Sequence, residues 1–501
     1  MIYFKRVFTV LISLIILCAC DNNGKEITPS KVFKVEQVRR CSHLSQDIII
    51  KYSLDKADSN KQIAINATED VDWITAIDTT TKGEVKVSIE ENISDTRAAI
   101  ITLSAKGYKS AKIEILQYCE PAEEANHTLM FYFFGTSLNR YFKANISDAI
   151  AAIKTGILGV NNRVIYFRQE TKSQGYIAEL YYDIESNSCY ENILESNIPI
   201  KESLIGPEFI TSIIDKMTTL LPAKRYGMVL AGHGQAWITR EVLNGASGIS
   251  TFGCYTPLFA PAAGAEVTRA FGESNVQVNP AELAEGINNS IADIDYLLFD
   301  ACFMSNIEFI YELRNSANYI IASPCEIMGK GFPYERTLPH LFKDDGNTTD
   351  YAAAAESYYL YYRDEYKSDS RCGSIAVYDC SEIEALRDAT KEVVKSAKSE
   401  YDSSILQTYE GQSDHYFYDF GEWVNTVATD NTALESFNNQ LSNAVIAKYT
   451  LDSFYSAYGS YGTYPINTEV YSGVTTSAPS EVLESYWIET EWYKSVWGLY
   501  N

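Results

Sequence analysis

The chain has 501 residues, 46% of them hydrophobic, and carries 41 Lys plus Arg against 66 Asp plus Glu, a formal charge of −25. That sign repels nucleic acid, which is excluded as a partner, and makes cationic peptides the natural opposite. Of ten cysteines, the eight beyond Cys18 and Cys20 lack the paired short spacing of thiolate zinc sites, so a metal site built from them is not expected.

The first element is an export signal. Lys5 and Arg6 precede an apolar run from Val7 to Leu17 that is too short to span a bilayer. The run ends in Leu17-Cys18-Ala19-Cys20, which resembles the bacterial lipobox. The resemblance implies a signal peptide over 1–19 and a diacylglyceryl thioether on Cys20, and hence an exported lipoprotein held to a membrane by its N-terminal lipid. An ordinary secretory signal that happens to contain a Cys is the alternative. Residues 20–31 are polar, with Asn22, Asn23, Gly24 and Pro29, and read as a tether. About 470 residues remain, more than one core usually holds, so two or more domains are expected.

Over 32–119 the signals are short alternating runs, such as Ile48 to Tyr52, Glu84 to Ile89 and Ala111 to Ile115. Period two, bounded by Asp, Asn and Gly, predicts a small antiparallel β-sandwich. The order Val71-Asp72-Trp73-Ile74, Val85-Lys86-Val87, Asn92, Arg97-Ala98-Ala99-Ile100 and Ile115-Leu116-Gln117 resembles a BACON domain. Such domains recur in exported Bacteroidetes proteins, and the resemblance implies glycan contact. Trp73 either stacks on a sugar or fills the sandwich core, and the core is the better reading.

After the acidic, Pro-containing link Glu120 to Glu124, the pattern changes. Thr128 to Phe134, Val164 to Phe167, Met228 to Ala231, Tyr296 to Phe299 and Tyr319 to Ala322 are nearly continuous apolar runs, as expected of strands buried on both faces. Helical patterns lie between them, notably Pro207 to Leu220 and Pro280 to Ile291, each led by Pro. Further helices are predicted over Asp350 to Tyr366 and Ser381 to Ser399, with a strand at Ser374 to Val377. The alternation predicts a three-layer α/β domain with a mostly parallel sheet over 126–501, and its ligand site belongs at the carboxyl ends of the strands.

Of five histidines, only His233 stands at the carboxyl end of an apolar strand, between Gly232 and Gly234. A structural role for such a His is the commoner case, but it is the leading acid or base. Cys302 and Cys325 both end apolar runs. Cys302 precedes a helical pattern whose N-terminus would stabilise thiolate, whereas Glu326 opposes it at Cys325. Buried structural thiols remain the alternative for both.

His233-Gly234 after one strand and Asp300-Ala301-Cys302 after the next resemble the clostripain family of cysteine peptidases. The likeness continues through Met304-Ser305, Ser323-Pro324, Gly329 to Tyr334, Tyr418-Asp419-Phe420 and Tyr471-Ser472-Gly473. The resemblance implies the caspase-like fold, Cys302 as nucleophile, His233 as the group that protonates the leaving amine, and the amides of Gly234 and Cys302 as oxyanion donors. It further implies cleavage of protein or peptide substrates after Arg or Lys, with Asp300 holding the basic side chain. Capping of the next helix is the other role open to Asp300. Lys330 stands where relatives often have a second acid.

Relatives are activated by self-cleavage between the His and Cys strands. The insertion from Ala236 to Pro280, with Arg240 and Arg269, is either a processing loop or a permanent lid. No cofactor is required by the sequence. Calcium dependence occurs among relatives, no EF-hand spacing is present here, and calcium is left open. The competing function is a non-catalytic surface lipoprotein that binds glycan or protein on the same scaffold.

Overall fold

A computed structural model describes residues 31–35, 38–54, 63–94, 97–118, 124–183, 186–201, 205–245, 264–269, 278–459 and 461–498. Cys20, the signal, the tether and most of the insertion after Ala236 lie outside these residues. Two compact units divide between Tyr118 and Cys119.

The first unit is a sandwich of two four-stranded sheets, with strands 38–41, 111–117, 97–104 and 66–68 in one and 34–35, 46–53, 84–89 and 74–78 in the other. Alternation does the work: along Glu84–Ile89, Val85, Val87 and Ile89 face the core while Lys86 faces out. They meet Ile101, Leu103, Ile113 and Ile115 across the sandwich. The antiparallel expectation needs correction at two pairings, because Val38–Cys41 runs parallel to Glu114–Gln117 and Lys31–Val32 runs parallel to Tyr108–Lys109. Trp73 is 8% exposed, and the Arg97 guanidinium covers its ring at 4.5 Å from the centroid. The ring is part of the core, with a guanidinium over its face.

The second unit holds a nine-stranded sheet. Its strands in chain order are β1 (His127–Phe133), β2 (Asn162–Thr171), β3 (Gln174–Asp183), β4 (Ser188–Pro199), β5 (Tyr226–Ala231), β6 (Ile294–Asp300), β7 (Tyr319–Ala322), β8 (Ile375–Asp379) and β9 (Val445–Tyr449). The spatial order is β4-β3-β2-β1-β5-β6-β7-β8-β9. Strands β2, β1, β5, β6 and β7 are mutually parallel, while two antiparallel strands extend each edge. The sheet is therefore mixed rather than mostly parallel. The continuous apolar runs mark its buried centre, and the edge hairpin β3–β4 escaped notice because polar residues such as Glu179, Asn192 and Glu195 interrupt its apolar runs.

Helices cover both faces. On one face α2 (Pro207–Leu220) packs on α3 (Pro280–Asn288), which packs on α4 (Ile307–Leu313). On the other, α1 (Asn139–Ile153) packs on α5 (Tyr334–Leu341), which packs on α6 (Tyr351–Asp364). Each start has a local cause. At α3, Asn279 and Glu282 form a reciprocal capping box around Pro280, an arrangement whose loss costs about 1 kcal/mol. That helix ends at Asn288, short of the expected Ile291, which is 73% exposed. The Ser290 hydroxyl donates to the Ile287 carbonyl and closes the last turn.

The late motifs hold the scaffold together. Asp419 accepts from the Ser472 amide and the Tyr409 hydroxyl, each at 2.8 Å, while its other oxygen caps the Phe420–Val427 helix at Glu422. Among the described residues, no helix is long and apolar enough to cross a membrane.

Candidate active site

Strands β5 and β6 are parallel neighbours with Ala231 opposite Asp300. His233 and Cys302 each follow that pair by two residues, so the register delivers both to one end of the sheet. The backbones then touch. A Cβ on Gly234 would stand 2.2 Å from the Cys302 carbonyl oxygen and 2.7 Å from its nitrogen, so only glycine permits this approach. Phe303, immediately after Cys302, has φ 63. A bulky residue in that left-handed region is a strained turn of the kind found at functional sites.

His233 Nε2 lies 2.8 Å from the Ser137 hydroxyl, which the short 3-10 turn Thr136–Leu138 presents. An apolar cavity of about 120 Å³, walled by Phe134, Leu230, Phe299 and Met304 among others, adjoins the imidazole. His127, by contrast, sits at the opposite end of the sheet, buried against Tyr296. Burial, then the Arg225 charge, lower its pKa to about 3, so it is neutral.

The thiol of Cys302 is wholly buried, and its sulfur accepts from the Ile327 amide at 2.9 Å. Burial, then the nearby Glu326 carboxylate, push it well above the ordinary thiol range. The helix N-terminus expected to favour thiolate is absent from this position. Helix α4 begins at Ile307, and the Asn306 side chain caps it by accepting from the Phe309 amide. Cys325 is buried too, held by Ser374, with burial raising its pKa.

Asp300 is the last residue of β6 and caps no helix. Its Oδ2 pairs with Arg269 Nη1 at 2.8 Å and accepts from the Tyr334 hydroxyl at 2.7 Å, with all charged atoms buried. Burial raises the Asp300 pKa in spite of the Arg269 charge. The rest of the guanidinium finds neutral acceptors: Asn145 Oδ1 at 2.7 Å, and the carbonyls of Asp300, Gly329 and Lys330 at 3.1–3.3 Å. Gly331, with φ +72, lies so close that a Cβ there would stand 2.3 Å from Arg269 Nη2. Lys330 turns its ammonium away, onto Asp148 at 2.7 Å, and contributes only its carbonyl. Among the described residues, Asp300 is thus the one acid hydrogen-bonded to this guanidinium, and backbone and amide oxygens supply the remaining acceptors.

Arg269 belongs to the insertion between the two strands, and its main chain is as engaged as its side chain. Its amide donates to the Ile327 carbonyl at 2.8 Å, and its carbonyl accepts from the Gly234 amide at 2.8 Å. Thr268 bridges Met328 in antiparallel fashion, and the Gly329 amide donates to the Val267 carbonyl at 2.7 Å. Residues 267–269 are laid on 327–329 as an added strand. Sequence reasoning marked Arg269 as one of two arginines in the loop. Tyr334 stood only as the end of the Gly329 to Tyr334 motif, with no role, and Asn145 and Ser137 went unnoticed, since each sits in an ordinary helical or turn context.

Residues 266–487 match the clostripain family model, Peptidase_C11. A secreted C11 cysteine protease from Bacteroides thetaiotaomicron, "iotapain", is 30% identical, with a TM-score of 0.64 over 74% of this chain and 99% of its own. An inactive zymogen C11 protease from Parabacteroides distasonis is 26% identical, with a TM-score of 0.60 over 75% of this chain and 99% of its own. A second secreted C11 cysteine protease from B. thetaiotaomicron, in complex with an irreversible peptide inhibitor, is 24% identical and shares the fold at a TM-score of 0.61, over 75% of this chain and 99% of its own. Comparison with curated protein sequences gave no match. The chain belongs to the clostripain family and is a C11 cysteine peptidase.

Proposed function

We propose that this peptidase cleaves after arginine, with Cys302 as nucleophile, His233 as acid and base, the Gly234 and Cys302 amides as oxyanion donors, and Asp300 at the base of the specificity pocket. The observation that carries this reading is Arg269. Its guanidinium fills the Asp300 pocket while its carbonyl oxygen rests on the Gly234 amide, the placement of a substrate residue on the acyl side of a scissile bond.

The chemistry follows from that placement. The Cys302 thiol gives its proton to His233, and the sulfur bonds to the substrate carbonyl carbon. Collapse of the tetrahedral adduct breaks the C–N bond, and His233 hands the proton to the leaving amine. Water then hydrolyses the thioester, with His233 as base, and restores the thiol. Applied to the chain itself, the reaction cuts on the carboxyl side of Arg269, between the His and Cys strands. Until then the loop is its own substrate and inhibitor, and the high pKa of the covered thiol fits a latent state.

The test is labelling by an acyloxymethyl ketone carrying P1 Arg. Processed enzyme should be modified at Cys302, with labelling lost in His233→Ala and weak for a P1 Leu probe; equal labelling by both probes would remove Asp300 from its role.

We also read the N-terminal unit as a BACON-like module and the enzyme as lipid-anchored through Cys20, on the strength of the lipobox sequence. Equal incorporation of a palmitate analogue into wild type and Cys20→Ala would exclude the anchor. Glycan contact by that unit requires a surface other than the Trp73 ring.

A further inference from the structure

Beside the arginine pocket lies a second polar group buried in the second unit. Glu326 is 0% exposed. Its Oε1 is fixed by the Ser456 hydroxyl at 2.6 Å and the Ala457 amide at 3.0 Å. Its Oε2 is buried with no hydrogen bond of full geometry. Thr268, bridged to Met328 two residues on from Glu326, carries a hydroxyl whose hydrogen bonding opposes the rise that burial gives the Glu326 pKa. Thr268 directly precedes Arg269 and is 7% exposed, whereas Val267 before it is 42% exposed. The added strand therefore offers two enclosed side chains to the protein, and each meets a buried carboxyl group.

We propose that Glu326, positioned by Ser456 and Ala457, is a specificity-determining residue that selects peptides with Thr or Ser immediately before the basic residue. The inference rests on the reading of Arg269 as a bound substrate residue. A site built around a buried acceptor discriminates strongly, because an apolar isostere buries the acceptor and brings no donor. Val matches Thr in shape and lacks only the hydroxyl. Ser keeps the hydroxyl and loses a methyl contact, which matters less.

The experiment compares fluorogenic Val-Xaa-Arg amides, with Xaa Thr, Ser, Val or Leu, on processed enzyme. Wild type should prefer Thr over Val by about tenfold or more in kcat/KM. Glu326→Met should reverse that order, and Glu326→Gln should retain it, with Arg over Leu at the cleavage position unchanged in both. Equal rates for Thr and Val in wild type, or a Thr to Val ratio in Glu326→Met like that of wild type, overturn the proposal. Should the Met variant fail to fold, Thr268→Val in the full chain supplies the same test: self-cleavage after Arg269 should slow by about tenfold, and an unchanged rate overturns it. Hydrolysis of no Arg peptide would sink the arginine reading and this inference together. Arg hydrolysis without a Thr preference would sink this inference alone.

Discussion

At the amino end of the nine-stranded sheet, His127 lies beside Tyr296, and Arg225 Nε pairs with Asp295 at 2.8 Å next to the Tyr351 hydroxyl. At the carboxyl end, His233 follows β5, and Arg269 pairs with Asp300 next to the Tyr334 hydroxyl. The side-chain inventory is nearly the same; the electrostatic outcome differs. At Asp295, burial is outweighed by the Tyr351 and Arg225 hydrogen bonds, and the carboxyl is held below its ordinary range. At Asp300, burial outweighs Arg269 and Tyr334, and the carboxyl is raised. Arg225 directly precedes β5, so its pair is a permanent part of the frame. Arg269 is borne by a loop segment, so its pair lasts only while that segment stays. On the proposed reading the carboxyl-end pair is a binding site occupied by a guest arginine, whereas the amino-end pair is a structural joint of the frame.

Breaking the carboxyl end should have the larger effects. Cys302→Ala should lower peptide hydrolysis by about 10⁴-fold or more, read as kcat/KM on an Arg substrate. Gly234→Ala should cost about 100-fold or more, since its Cβ drives the amide off the oxyanion position. Asp300→Asn should lower kcat/KM about 100-fold for Arg peptides and leave neutral peptides within a few-fold, which a P1 panel will read.

Breaking the amino end should leave kinetics alone. Asp295→Asn should destabilise the fold by about 3 kcal/mol, measured by denaturant unfolding, with kcat/KM within about twofold. A kinetic loss as large as that of Asp300→Asn would erase the distinction between the two ends.

The smallest effect sharpens the comparison through pH. Burial raises the Glu326 pKa from 4.5 to about 7, against the hydrogen bonds of Ser456, Thr268 and Ala457 and with the Glu410 charge adding to the rise. The folded chain then binds that proton more tightly than the unfolded one. Its contribution is fully present below pH 4.5 and is lost as pH rises through about 7, by about 3 kcal/mol at most. Glu326→Gln lacks this loss, so its Tm relative to wild type should rise between pH 5 and pH 8.

The sequence was most legible where one physical signal dominated. The five parallel central strands, the Pro-led helices and the placing of His233 and Cys302 after neighbouring strands at one end of the sheet all follow from apolar runs, turn glycines and the rule that sites gather at strand ends. It was least legible where partners meet from distant segments. Nothing local marks Asn145 as the acceptor for a guanidinium, since a helical Asn is ordinary until its burial is known. Lys330 read as a defect in the arginine pocket because only the residue type is visible in sequence; the structure turns its ammonium to Asp148 and keeps its carbonyl. Glu326 read as a charge opposing thiolate at Cys325, and it bears on Cys302 in the same sense. Its contact with Thr268 depends on a loop whose path no periodicity records.

The most direct test of Cys302 and Arg269 together is N-terminal sequencing and intact-mass analysis of the purified wild-type chain and Cys302→Ala, each incubated alone. Wild type should separate into two fragments, the second beginning at Ala270, while Cys302→Ala stays whole. A new terminus elsewhere in wild type, or the same cut in Cys302→Ala, would contradict the account.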